Sequence, residues 1–153
     1  MNNEKLVSVH EQRVIDNNTI NMAEALNQLL PLGNAFSMAV GYLFLSGFEL
    51  VQEALGSVAV KEGIRIIMGN STDYNTAQEI EEGVSLYQLS SNVEDYVKIR
   101  PTQALEREIT LIEPGSKKAF TAYRLRDLIA QGAVSIKVYT GPADYFHAKV
   151  YLI

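Results

Sequence analysis

The chain has 153 residues, 47% hydrophobic and 20% charged, so one domain around a single core is expected, and a disordered or fibrous chain is excluded. Cysteine is absent, which excludes a disulfide framework, a thiolate metal site and a cysteine nucleophile. The net charge of −5 is unevenly placed, with 7 basic and 16 acidic side chains up to residue 116, then 6 basic and 2 acidic from 117 to 153. The basic C-terminal third is either where a phosphate-bearing ligand meets the chain or a solvated helix face.

Residues 1–16 alternate charged and apolar positions and lack the order of a secretory signal, which together with the missing cysteines gives the expectation of a cytoplasmic protein. His10 has no second ligand-type residue at metal-binding spacing, so no metal site is expected. Thr19, or Asn21 with Glu24 three residues on, predicts the start of a helix over about 20–30, ended by Pro31 and Gly33. The apolar run 35–45 predicts a central strand covered on both faces and is too short to span a membrane. Ser46 and Glu49 have the spacing of a second capping box, opening a helix that ends near Gly56. Ile64–Met68 then reads as a strand parallel to the first, because a helix lies between them.

Beyond it, Asn70, Ser71, Thr72 and Asp73 read as a turn; following a parallel strand, their backbone N–H groups are also placed to approach a phosphate. Residues 76–114 are richer in charge and helical in period, and read as a helical insertion. A helix over about 118–131, with Phe120, Tyr123, Leu125, Leu128 and Ile129 as its inward stripe, stops at Gly132. Two strands follow, 134–139 and 146–153, joined by a turn over 140–145. The expected fold class is α/β, a mixed sheet with helices on both faces. There is no GxxxxGK[ST] loop, so this chain by itself offers no such nucleoside triphosphate site.

The last strand reads Phe146, His147, Ala148, Lys149, Val150, Tyr151, Leu152, Ile153. Alternation puts Phe146, Ala148, Val150 and Leu152 on one face and His147, Lys149 and Tyr151 on the other. A neutral imidazole can attack phosphorus or move a proton, and an ammonium beside it can hold a non-bridging phosphate oxygen. The same pattern also fits an edge strand with a solvent-facing His and Lys. Tyr139, Tyr145 and Tyr151 cluster around this strand in sequence; stacking on a base and ordinary packing are both open to them.

This final strand resembles the start of the HxKxxxxD signature of the phospholipase D superfamily. Residues 40–55, VGYLFLSGFELVQEAL, with 63–69, GIRIIMG, resemble the first two strands and intervening helix of the phospholipase D-like domains at the front of bacterial superfamily 2 helicases. The resemblance implies that 1–153 is one such domain, the N-terminal part of a longer protein, with the motif's Asp falling immediately after Ile153. It implies His147 as a nucleophile forming a phosphohistidine intermediate and Lys149 as the phosphate-binding cation. Read from the residues themselves, Tyr151 by stacking and Asn70 and Ser71 by their turn are candidate substrate contacts, and the His and Lys pair suits phosphoryl transfer without a metal. The resemblance further implies nucleic acid, DNA rather than RNA, as substrate, and a homodimer that brings two half-sites together. A helicase domain following in the same chain would bring ATP and Mg; no other cofactor and no membrane partner is expected. The alternative is a non-catalytic module of the same helicase that docks nucleic acid or dimerises its host.

Overall fold

In the computed structural model, which describes residues 20–59, 61–91, 112–139 and 146–153, the first element is helix α1 (Met22–Leu29). Its N-cap Asn21 side chain accepts from the Glu24 N–H at 2.9 Å, and the Glu24 carboxylate accepts from the Asn21 N–H at 3.2 Å, the reciprocal box that the spacing predicts. Pro31 lacks an N–H, and the chain tightens into a 3₁₀ turn, Leu30–Leu32.

The apolar run that reads as one strand is divided between two elements. Strand β1 spans Phe36–Tyr42, and helix α2 spans Leu45–Ala59. The expected box of Ser46 and Glu49 does not open this helix: it begins one residue earlier, and the Leu45 N–H is taken by the Thr76 hydroxyl at 2.9 Å, a partner 31 residues away. Glu49 instead pairs with Lys117 at 2.9 Å.

Strand β2 (Ile64–Ser71) runs three residues beyond the predicted end, and helix α3 (Tyr74–Ser91) follows within one turn. This helix is the start of the stretch expected as an insertion, and it packs in the main layer: Gly83 has no room for a Cβ, which would lie 2.8 Å from the Arg126 carbonyl and from Ile129 Cβ. The remainder of that stretch, 92–111, lies outside the described residues. Helix α4 (Lys117–Ala130) is capped by Ser116, whose hydroxyl accepts from the Ala119 N–H at 3.2 Å. It stops where predicted, at Gly132, whose φ of +72° suits glycine. Its buried stripe is Ala119, Ala122, Leu125, Leu128 and Ile129, so Phe120, 66% exposed, and Tyr123 point outward, contrary to the predicted stripe. The small alanines let α4 sit close to its neighbours.

Strand β3 (Val134–Val138) and strand β4 (Lys149–Leu152) complete a sheet of order β3-β2-β1-β4. β1, β2 and β3 are mutually parallel and β4 runs antiparallel to β1, so the sheet is mixed, as expected. Phe36, Val40, Ile64, Ile66, Met68, Val134 and Ile136 lie buried on one face, in a single cluster with Leu55, Val58, Ile80, Leu125 and Ile129 of the helices. Burying this surface is the main stabilising term of the fold, at about 25 cal/mol per Å² of apolar area.

The alternate positions Arg65, Ile67, Ser135, Lys137, Val150 and Leu152 are exposed. The expectation of helices on both faces is therefore corrected: among the described residues the helices cover one face only. The alternation of buried and exposed positions in β2 and β3 is the signature of a half-covered sheet, whereas strands buried on both faces read as continuous apolar runs. No described helix is long and apolar enough to cross a membrane.

Candidate functional site

The carboxyl ends of the parallel strands form one end of the sheet, and two described connections meet there. β1 hands over to α2 through Leu43 and Phe44, and β2 hands over to α3 through Thr72 and Asp73. The two turns are stitched together by buried polar groups. The Thr72 hydroxyl donates to the Leu43 carbonyl; the Thr76 hydroxyl donates to Asp73 Oδ2 at 2.5 Å while accepting from the Leu45 N–H. Asp73 Oδ1 also accepts from the Thr76 N–H at 3.0 Å, which caps α3. No buried side-chain oxygen of this knot lacks a partner, so its hydrogen bonds offset the cost of burial and the knot stiffens the end of the sheet.

β4 reaches this end from the far side. Its register with β1 is Ser37 to Leu152, Met38 to Tyr151, Ala39 to Val150 and Val40 to Lys149. Val40 faces the core, so its partner Lys149 and, two residues on, Tyr151 lie on the helix-covered side. Val150 and Leu152, 49% and 63% exposed, lie on the uncovered side. The alternation read from the sequence is present, but its polarity is the reverse of simple apolar burial. β1 dictates this, since Phe36 and Val40 are fixed in the core and a one-residue slip of β4 would invert every side chain.

His147 precedes β4 without being part of a regular ladder. The Gly41 N–H donates to the Ala148 carbonyl at 3.0 Å, and a Cβ on Gly41 would lie 2.8 Å from the Phe146 carbonyl and 3.8 Å from His147 Cα. The chain at 146–148 thus lies directly against the last residues of β1, and both His147 and Lys149 are exposed there. Gly69 is needed for the same approach, because a Cβ there would run into the Gly41 carbonyl.

The remaining candidates divide. Ser71 is the register partner of Tyr42 on the other side of β1, after an irregularity that inserts an extra residue into β2 between Met68 and Ser71. Asn70 is exposed beside it, with the Ser71 hydroxyl 3.4 Å from its Oδ1. Asn70, Ser71 and His147 are therefore gathered around the end of β1. Tyr151 is not among them. Its ring stacks on Phe36 at 6.4 Å between centroids, with planes 10° apart, and it faces an apolar groove of about 340 Å³ walled by Met22, Leu26, Met38, Val51 and Phe48. Tyr145 and the turn at 140–145 lie outside the described residues, as does His10.

Sequence reasoning missed the knot. Its visible signal was Asp73 three residues before Thr76, the spacing of a helix cap. It also missed a charged cluster between α3 and α4. Arg126 lies 3.0 Å from Glu82 and 3.9 Å from Glu79, with its guanidinium 4.8 Å over the Tyr123 ring. Burial pushes the Glu79 carboxyl above its usual value, a shift that Arg126 partly offsets. Hydrogen bonds from Gln78 and Arg126 hold Glu82 below its own. Both serve helix packing and lie away from His147. Among the described residues no group of three or more His, Cys, Asp or Glu is placed to hold a metal ion.

Compared with protein-family models, with curated proteins and with solved structures, the chain finds no match in any of the three.

Proposed function

We propose that the chain is a phospholipase D-like phosphodiesterase domain acting on nucleic acid, with DNA the preferred substrate. His147 is the nucleophile and Lys149 the phosphate-binding cation. The observation that carries the reading is the placement of both residues on the same segment, two apart and exposed, against the carboxyl end of a parallel strand in a mixed α/β sheet. That end is where open α/β sheets offer a crevice to ligands. The resemblance of 146–153 and 40–69 to phospholipase D-like helicase domains supplies the chemistry.

In this reading a His147 ring nitrogen attacks phosphorus, forming a P–N bond as the P–O bond to the leaving group breaks. The Lys149 ammonium compensates charge building on the non-bridging oxygens. The leaving oxygen takes its proton from the histidine of a second copy, which makes the working unit a homodimer. Water then attacks phosphorus, giving its proton to the now neutral histidine of the second copy, the P–N bond breaks, and both imidazoles return to their starting states. In the longer protein the domain precedes a helicase, whose ATP and Mg belong to that part.

A second reading keeps the fold without the chemistry, as a module that docks nucleic acid for its host. The uncovered sheet face favours it, since Arg65 and Lys137 stand there with no ion-pair partner among the described residues. Cleavage of bis(p-nitrophenyl) phosphate in the presence of EDTA separates the two. The enzyme reading expects His147→Ala to lower the rate roughly a thousandfold or more, and Lys149→Ala to lower it by about a hundredfold. Equal rates for parent and His147→Ala would remove His147 from the chemistry and leave the docking module.

A further inference from the structure

The sheet face that the helices leave uncovered has a chemical polarity of its own. Its rows are set by the register. Lys137, Ile67, Ala39 and Val150 form one row across the four strands; Ser135, Arg65, Ser37 and Leu152 form the next. Arg65 and Lys137 are diagonal neighbours on adjacent strands, about 7–8 Å apart at the backbone. No Asp or Glu stands on any strand of this face among the described residues, although the chain as a whole is acidic.

Two strand positions beyond Lys137, the Tyr139 ring stacks on Phe146 at 4.8 Å, with planes 25° apart. Tyr139 is 38% exposed, and Phe146 is the residue before His147. From the Arg65 row to the Gly69 row is about 13 Å at the rise of an extended strand. That is the span of roughly two nucleotides of a stretched single strand, for which alternating cations and aromatic rings are the usual binding surface.

We infer that this open face is a track for single-stranded nucleic acid, with phosphates on Arg65 and Lys137 and a base on Tyr139, on the side of the sheet opposite to Lys149. The inference rests on the nucleic-acid reading of the function, but its measurement is binding rather than cleavage.

The test is fluorescence anisotropy of a labelled oligothymidylate titrated with the intact chain over a range of salt. Arg65→Ala with Lys137→Ala is expected to weaken binding by tenfold or more and to lower the slope of log K against log salt by about 1.4, the value for two phosphates on a single strand. Arg65→Lys with Lys137→Arg should restore most of the binding, which separates loss of contact from loss of fold. Arg124→Ala, exposed on α4 beside Gly56 of α2, should leave it unchanged. Unaltered binding by the double alanine variant overturns the track, whatever His147→Ala does to cleavage. So does a sedimentation result showing that the face is buried between two copies and that the oligonucleotide does not compete. Binding that depends on Arg65 and Lys137 in a chain without cleavage upholds the track and removes only the enzyme reading.

Discussion

The ring of Phe146 stacks on that of Tyr139 at 4.8 Å, although the two residues belong to segments serving opposite edges of the sheet. Tyr139 is anchored by its N–H to the Met68 carbonyl at 2.8 Å, and the chain at Phe146 lies over Gly41 and Gly69. This contact sets where His147 emerges. It depends on two missing Cβ atoms.

Gly41→Ala and Gly69→Ala are therefore each expected to destabilise the fold, by about 1–3 kcal/mol, and to displace the segment carrying His147. Gly47→Ala is the contrast. A Cβ there meets nothing within 4 Å, and the position lies in helix α2. It should stabilise by up to about 1 kcal/mol. Urea unfolding of the three variants checks the order; a Gly69→Ala protein as stable as the parent would contradict the close approach.

Thr76→Val removes the hydroxyl that bridges Asp73 and the Leu45 N–H while keeping the shape of the side chain. Thr76 and Leu45 are both buried, so the Leu45 N–H loses its partner with no water to replace it, while the half-buried Asp73 carboxylate keeps the Thr76 N–H. A loss of about 1–3 kcal/mol is expected. Hydrogen exchange should show the Leu45 amide opening faster in the variant, because the knot is what closes the first turn of α2.

Tyr151→Phe should leave both stability and cleavage near the parent values, because the ring packs on Phe36. Tyr151→Ala should destabilise by about 3–5 kcal/mol if the ring is as well packed as a core aromatic, with the half-buried position favouring the lower end. A selective rise in KM for Tyr151→Phe, with stability unchanged, would return Tyr151 to the substrate site.

Glu79 gives a pH dependence with a definite sign. Its folded-state pKa is raised above the ordinary 4.5 by burial. In the window above 4.5 the folded protein therefore holds more proton than the unfolded chain, and stability falls as pH rises through it. Glu82 works the other way: its lowered pKa contributes stability above 4.5 that is lost on acidification. Glu79→Gln removes the first effect alone. Its unfolding free energy relative to the parent should increase from pH 4 to pH 8, and an unchanged difference would contradict the burial of an ionised Glu79.

Much of this architecture is written locally. The Asn21–Glu24 box and the Gly132 stop each involve residues three or fewer apart from the ends they set and lie where the spacing places them; the Ser116 cap, not read from the sequence, is equally local. The break between β1 and α2 is not local. An apolar run does not say where a strand ends, and the deciding group is a hydroxyl at Thr76. α4 reveals its buried side only in its second half, where Leu125, Leu128 and Ile129 are buried as read; in the first half Ala119 and Ala122 carry the contact while the larger Phe120 and Tyr123 face outward.

At the site, the shared side of His147 and Lys149 is legible from their spacing, since a strand has a period of two. Which side of the sheet that is cannot be read from β4, where the apolar residues point the wrong way. The register against Phe36 and Val40 decides it. The gathering of Asn70 and Ser71 with His147 depends on the extra residue in β2, which leaves no mark in composition.

The most direct test of the central claim is to mix the chain with a slight excess of bis(p-nitrophenyl) phosphate in EDTA, follow the first turnover, and map the adduct by mass spectrometry at alkaline pH. The proposed mechanism predicts a rapid burst of one p-nitrophenolate per active histidine and a phosphoryl adduct on the peptide carrying His147. Release without a burst, or an adduct on any other residue, would contradict it.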